Sequence, residues 1–260
     1  MRELERDDIP SPLSATPLWV VGRGRAGGSL AKAAELAGID VRLVGRDEAV
    51  DGSGAVLLCV PDDAIAEACG RIESVPELVG HVSGASTLDV LAAARERGAS
   101  TFSLHPLQTF ADGETSVSGT PAAIAGSDEA AASFARELAR ALGMRPFEVP
   151  EESRAAYHAA AAMASNLLVA LEESAAELVE RLGIEDAREL LAPLVLRTAA
   201  NWTERGPAAL TGPIARGDHA TVERHRAALG ETAPELLPVY DALAARAEAV
   251  ARESIGEASS

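Results

Sequence analysis

The chain has 260 residues, 47% of them hydrophobic and 24% charged, the proportions of a globular protein able to bury one large core or two modest ones. Its formal net charge of −17 argues against nucleic acid and against an anionic membrane surface, since phosphates are held by Lys and Arg. Two cysteines, Cys59 and Cys69, are too few for a disulfide framework or a metal cluster.

The first sixteen residues are charged and carry Pro and Ser without an apolar stretch, so they read as a loose extension with no signal peptide, and the compartment expected is cytoplasmic. Strands are predicted at Leu18 to Val21, Val41 to Val44, Ala55 to Val60, Gly80 to Val82, Thr101 to Leu104, Ala122 to Ala125 and Arg145 to Val149. Helices are predicted at Ala26 to Ala37 and at about 62–70, 87–97 and 128–142. Continuous Val and Leu runs alternating with helices describe a parallel sheet covered on both faces. After Pro150 the pattern changes. From Glu151 to Leu182 there is no Pro or Gly, which predicts one helix of about 32 residues, roughly 48 Å long. Its apolar part, Ala155 to Leu171, carries His158, Ser165 and Asn166 and reads as a buried core helix, not a membrane span. Helical segments follow, with breaks expected at Pro193, Gly206-Pro207, Gly212-Pro213, Gly217 and Gly230. The expected organisation is an extension over 1–16, an α/β domain over 17–150 and an all-helical domain over 151–260.

Gly22-Arg23-Gly24-Arg25-Ala26-Gly27 follows the first strand and opens the first helix. A GxGxxG alone is weak evidence, but within a strand–turn–helix–strand unit it describes a Rossmann dinucleotide site. There Gly22 allows the tight turn, Gly24 admits the pyrophosphate and Gly27 lets helix and strand pack. The amides of the helix N-terminus, near Arg25 and Ala26, would face the phosphates, and Val60-Pro61 would wall the site. NAD readers place an acid at the end of the second strand, whereas this chain has Gly45-Arg46-Asp47. Arg46 suits the 2′-phosphate of NADP, the cofactor expected here. In the alternative, Asp47 serves the ribose and Arg46 is merely solvated.

Further segments carry a family resemblance. They are Val60-Pro61-Asp62-Asp63-Ala64-Ile65, His81-Val82-Ser83-Gly84-Ala85, Ser103-Leu104-His105-Pro106-Leu107-Gln108-Thr109-Phe110, Tyr157-His158-Ala159-Ala160, Ser165-Asn166 and Leu210 to Asp218. From about Leu18 onward the chain closely resembles a bacterial Rossmann-like family whose second domain is known only as a domain of unknown function. That family is similar to the 6-phosphogluconate-dehydrogenase-like group, which includes ketopantoate reductase, pyrroline-5-carboxylate reductase and prephenate dehydrogenase. The resemblance implies an NAD(P)-binding domain, a helical domain of 6-phosphogluconate-dehydrogenase C-terminal type that forms a homodimer, and an active site in the interdomain cleft. It supplies no substrate. Hydroxyacid dehydrogenases of the group carry a Lys one helical turn before an Asn. Asn166 matches that Asn, but Ala162 stands at the Lys position, and the only Lys of the chain is Lys32. A Lys-based mechanism is therefore excluded.

Histidine is then the natural proton carrier. His81 ends one strand and His105 follows the next, both at the carboxyl edge of the sheet, where ligands bind in such folds. His105-Pro106 resembles the His-Pro of prephenate dehydrogenases, with Ser83 as an assisting hydroxyl, although a turn histidine bonded to backbone would look the same. His158, Ala162, Ser165 and Asn166 would share one side of the long helix. His158 and Asn166 are candidates for proton transfer and carbonyl orientation, or else members of a core network. His81, Gly84 and Arg216 are candidates for substrate contact, Arg216 through a carboxylate or else in a local pair with Asp218. Glu151-Glu152 and Glu172-Glu173 read as solvated faces, His219 and His225 as surface residues. The expectation is an NADPH-dependent reductase of a small carbonyl or imine compound, such as a 2-oxo acid of ketopantoate type. A non-catalytic NADP sensor and a prephenate-like dehydrogenase are the alternatives.

Overall fold

Seven short strands form one sheet in the order β2-β1-β3-β4-β5-β6-β7. The computed structural model describes residues 17–74 and 76–257, so the expected extension over 1–16 lies outside the described residues. In chain order the first elements are β1 (Leu18–Val21), α1 (Arg25–Leu36), β2 (Val41–Val44), β3 (Ala55–Leu58), α2 (Ile65–Gly70) and β4 (Leu78–His81). Then come α3 (Ala92–Arg95), β5 (Ser100–Pro106), β6 (Pro121–Gly126), α4 (Glu129–Ala141), β7 (Arg145–Glu148) and α5 (Arg154–Ala164). The first five strands are mutually parallel, as expected. β6 runs antiparallel to β5, and β7 follows β6. The sheet is thus mixed rather than wholly parallel, because the 107–120 connection returns without a crossover helix.

Strand residues alternate between two cores. Leu18 and Val20 join Leu30, Leu57, Phe102, Leu104, Ile124, Phe134 and Leu138 on the face covered by α1 and α4. Trp19 and Val21 join Val56, Leu58, Ile65, Val79 and Leu91 under α2 and α3. Both sides of β1 and β3 are buried, which is why their sequences are unbroken apolar runs. α4 starts where the Asp128 carboxylate accepts the Ala131 N–H at 2.9 Å.

The chain divides into two compact units, one ending at Ala164 and the other beginning at Ser165, later than the change of pattern at Pro150. The predicted 151–182 helix is interrupted between them. Ser165 leaves helical geometry at φ −132° and ψ −80°, and α6 (Asn166–Arg181) starts anew. Serine competes for local hydrogen bonds, and its hydroxyl donates to Asn166 Oδ1 at 3.1 Å. Nor is Ala155 to Leu171 a buried core helix: of α5 only Arg154 is buried, and Leu167, Leu168, Val169 and Leu171 are exposed. The second unit continues with α7 (Ala187–Arg205), α8 (Gly212–Ala215), α9 (His219–Thr232) and α10 (Leu237–Glu257). Two expected breaks are absent. α7 runs through Pro193, losing one amide donor, and α9 runs through Gly230, where glycine costs only about 1 kcal/mol relative to Ala. The bidentate Arg188–Glu173 pair, at 2.8 and 2.7 Å, joins α7 to α6, so Glu173 is not simply solvated. Among the described residues, no helix is long and apolar enough to cross a membrane.

Phe102 is fully buried, meets Phe134 edge-on at 5.2 Å, and fills the space left by the missing side chain of Gly80 opposite. Phe102→Ala is expected to lower unfolding free energy by about 3–5 kcal/mol in denaturant titration.

Candidate active site

β1, β3, β4 and β5 are parallel, so the segments that leave their carboxyl ends share one edge of the sheet. The glycine turn leaves β1. Gly22 has φ +117°, and a Cβ there would lie 2.3 Å from the Cys59 carbonyl oxygen, so the turn is pressed against the end of β3. A Cβ on Gly27 would lie 1.9 Å from the Gly22 carbonyl oxygen, which brings α1 close to its own turn. Gly24, by contrast, faces open space and is the N-cap of α1, with no side-chain cap and no acid in the first turn. Exposed Arg25 and half-buried Ala26 begin the helix. This bare, positive helix end fits a pyrophosphate.

Beside it, at the ends of β2 and β3, Arg46, Asp47, Val60, Ala64, Glu67, Ala68 and Arg71 line a cleft of about 260 Å³. Pro61 follows as the N-cap of a short turn. Arg71 donates to Asp47 at 2.7 Å and to Glu67 at 2.7 Å, and Arg23 pairs with Glu48 at 2.7 Å. Among the described residues, Arg46 has only the 3.9 Å approach of its neighbour Asp47. The cleft therefore presents one weakly engaged cation and an acid already held by another residue.

Further along the edge stand the histidines. His105, the penultimate residue of β5, holds the Tyr157 hydroxyl at its Nδ1 at 2.8 Å. Its ring meets the rings of Tyr157 and His158 edge-on, at 5.6 and 5.9 Å. Both imidazoles rest on Gly84: a Cβ there would lie 2.7 Å from His158 Nδ1 and 2.8 Å from His105 Nε2. Burial, then the neighbouring His158 and the Arg154 charge, push His105 down to about 4, while Asp62 opposes them. His105 is thus neutral at pH 7. Burial raises Tyr157 above its ordinary value, so it too is neutral and able to donate its proton to Nδ1. In that arrangement the imidazole proton sits on Nε2.

His81 is fully buried, and its Nδ1 accepts the Ser83 N–H at 3.1 Å. It lies under the turn rather than on a ligand surface, and burial followed by the Arg154 charge pushes it down to about 4. The Ser83 hydroxyl is spent within its own turn, accepting from the Ala85 and Ser86 amides at 3.2 and 3.0 Å and donating to Ser86 Oγ at 3.0 Å. His105, His158, Ser83, Gly84 and His81 are therefore gathered in the first unit. Asn166 and Arg216 belong to the second, both exposed, Arg216 at the end of α8. Asp218 caps α9 by accepting the Thr221 N–H at 3.1 Å.

Two residues of this cluster, Arg154 and Tyr157, were not among the sequence candidates. Arg154, Tyr157 and His158 stand at i, i+3 and i+4 on α5, a spacing that places them on one face. Glu151, expected on a solvated face, instead accepts the Leu88 N–H at 2.7 Å and pairs with Arg154 at 3.4 Å. The arginine three residues on was the available signal.

No curated protein sequence matches the chain. In fold it is similar to a candidate NADP oxidoreductase from Bacteroides fragilis, at 24% identity and TM-score 0.75, covering 90% of this chain and 98% of that one. It is also similar to protein TM1727 of Thermotoga maritima, at 22% identity and TM-score 0.73, covering 92% and 99%. A third such structure is a reductive aminase from Aspergillus terreus in complex with NADPH and ethyl-5-oxohexanoate, at 18% identity and TM-score 0.63, covering 89% and 93%. Residues 120–247 match the family model described as a domain of unknown function, DUF2520. The chain thus has a Rossmann-type fold, and its residues 120–247, which begin within the sheet at β6, are similar to the DUF2520 family.

Proposed function

We propose that the protein is an NADP-dependent oxidoreductase that reduces a small carbonyl or imine compound, with a 2-oxo acid of ketopantoate type as the first candidate. One observation carries this reading: the Arg46 cleft, the bare N-terminus of α1 and the His105 cluster follow one another along a single sheet edge. The order suits the adenosine, pyrophosphate and nicotinamide of an extended dinucleotide. From β1 to β5 is three strand spacings, about 14 Å. Similarity in fold to an NADPH-complexed reductive aminase supports the same reading.

When bound, NADPH supplies the hydride; the protein must hold it, orient the substrate and deliver one proton. Gly22, Gly24, Arg25, Ala26 and Gly27 would hold the pyrophosphate, Val60 and Pro61 would bound the site, and Arg46 would read the 2′-phosphate. His105 cannot serve as a stored imidazolium, since a group with pKa about 4 is charged in about one molecule per thousand at pH 7. Its Nε2–H instead donates a hydrogen bond to the substrate oxygen or nitrogen, as a neutral imidazole can. As that proton transfers, Tyr157 passes its own to Nδ1, and solvent then reprotonates Tyr157. Ser83 and His81 shape the turn beneath, and His158 is the second proton-handling candidate. The second unit would pair two copies, since it exposes the large apolar side chains Leu167, Leu190, Leu194, Leu196 and Trp202, and exposed apolar patches mark interaction sites.

Fluorescence titration is expected to show Arg46→Ala weakening NADPH binding about tenfold or more, with NADH little affected. Equal losses for both would remove Arg46 as the phosphate reader. His105→Asn should lower kcat/KM by about 100-fold or more with NADPH affinity intact, measured by cofactor oxidation over a panel of 2-oxo acids and imines. In the wild type the rate should stay level from pH 7.5 to 5.5, because His105 remains neutral throughout. A tenfold fall per unit above pH 5 would instead identify the charged form as the donor and end the relay. Light scattering should give twice the 26.8 kDa chain mass; a monomer at micromolar concentration would sink the pairing.

A further inference from the structure

Arg154 is fully buried, yet its electrostatic partners are few. Nη1 reaches Glu151 Oε1 at 3.4 Å, Nη2 donates to the Ser83 carbonyl at 3.1 Å, and Nε has no hydrogen-bond partner among the described residues. Removing a guanidinium from water is costly, and an apolar side chain of similar volume would ordinarily serve packing as well or better. A stability role alone therefore gives no account of this residue.

We propose that Arg154 is a positioning residue of the histidine site, its guanidinium fixing the Ser83–Gly84 turn on which the His105 and His158 rings rest. The proposal builds on the reading of His105 as the proton-handling group. Both ends of the turn are tied to the start of α5. Arg154 holds the Ser83 carbonyl, and Glu151, itself held by Arg154, takes the Leu88 amide at 2.7 Å. Because Gly84 touches both imidazoles, a shift of this turn would move the two rings together. The same cation acts on the charge of His105 and of His81. His105 is faced by Arg154, Tyr157 and His158 from α5 and by Asp62 from the turn after β3; His81 is faced by Arg154, Asp62 and His105. Of these, Arg154 favours the neutral form of both rings, adding to burial, and Asp62 opposes it. One side chain thus holds the turn and adds to the burial that keeps His105 and His81 uncharged.

The test is histidine NMR on the full-length protein between pH 8 and 5.5, without cofactor or substrate, with His105 assigned from the His105→Asn spectrum. In the wild type about 3% of His105 should be charged at pH 5.5. Arg154→Met should raise its midpoint by about one unit, so that about a quarter is charged at pH 5.5. Arg154→Lys, which keeps the cation, should restore the wild-type charge state. If Arg154→Met folds less stably while His105 stays as in the wild type, the residue is structural and the proposal is overturned. Arg154→Gln is read in the same way should the Met variant not fold. If neither neutral variant folds while Arg154→Lys does, Arg154 serves the fold itself, which also overturns it. No step of this test needs turnover, so absence of reductase activity would count against the proposed function and not against Arg154.

Discussion

The edge of the sheet is organised by three places where backbone must come so close to its neighbours that no side chain fits. At Gly22 the constraint is the Cys59 carbonyl, at Gly27 the Gly22 carbonyl, and at Gly84 two imidazole rings. The first two press the β1–α1 turn onto β3 and leave the helix amides facing outward. The third lets His105, which belongs to the sheet, and His158, which belongs to α5, lie against the same Cα. Larger residues at these positions would separate elements whose meeting is what makes the edge a site.

Electrostatically, this edge differs from the rest of the molecule. A chain of net charge −17 keeps a fully buried guanidinium beside two histidines. Desolvation already disfavours charged imidazole, and the nearby cation works in the same direction. The result is a neutral ring with a neutral phenol behind it, suited to donating a hydrogen bond without storing a proton. Distant surface acids do little to alter this, because water and salt screen them over about 8–10 Å.

Much of the architecture was readable from one-dimensional pattern. The βαβ unit with its glycine turn, the seven strands near their expected positions and the helical second half all follow from local periodicity. Other aspects did not follow, among them the direction of β6 and the break at Ser165. The reversal of β6 depends on how the 107–120 segment returns to the sheet, and no pattern of residues in β6 itself reports direction. The break at Ser165 depends on one serine in a segment without Pro or Gly, where helix propensity is otherwise uninterrupted.

For the site, the sequence by itself determined the chemical types available: a glycine turn before a helix, an arginine after β2, a His-Pro at the end of β5, and a single lysine outside any catalytic position. These are properties of residue identity and short spacing, so they survive without coordinates. Only the tertiary structure decided which groups meet. It put the Tyr157 hydroxyl on His105 Nδ1, turned the Ser83 hydroxyl inward to its own turn, and drew Glu151 and Arg154 under the Ser83–Leu88 segment. Apart from the Ser83 turn, those pairings join residues more than fifty positions apart, and burial, which sets their protonation, exists only once the chain has folded around them.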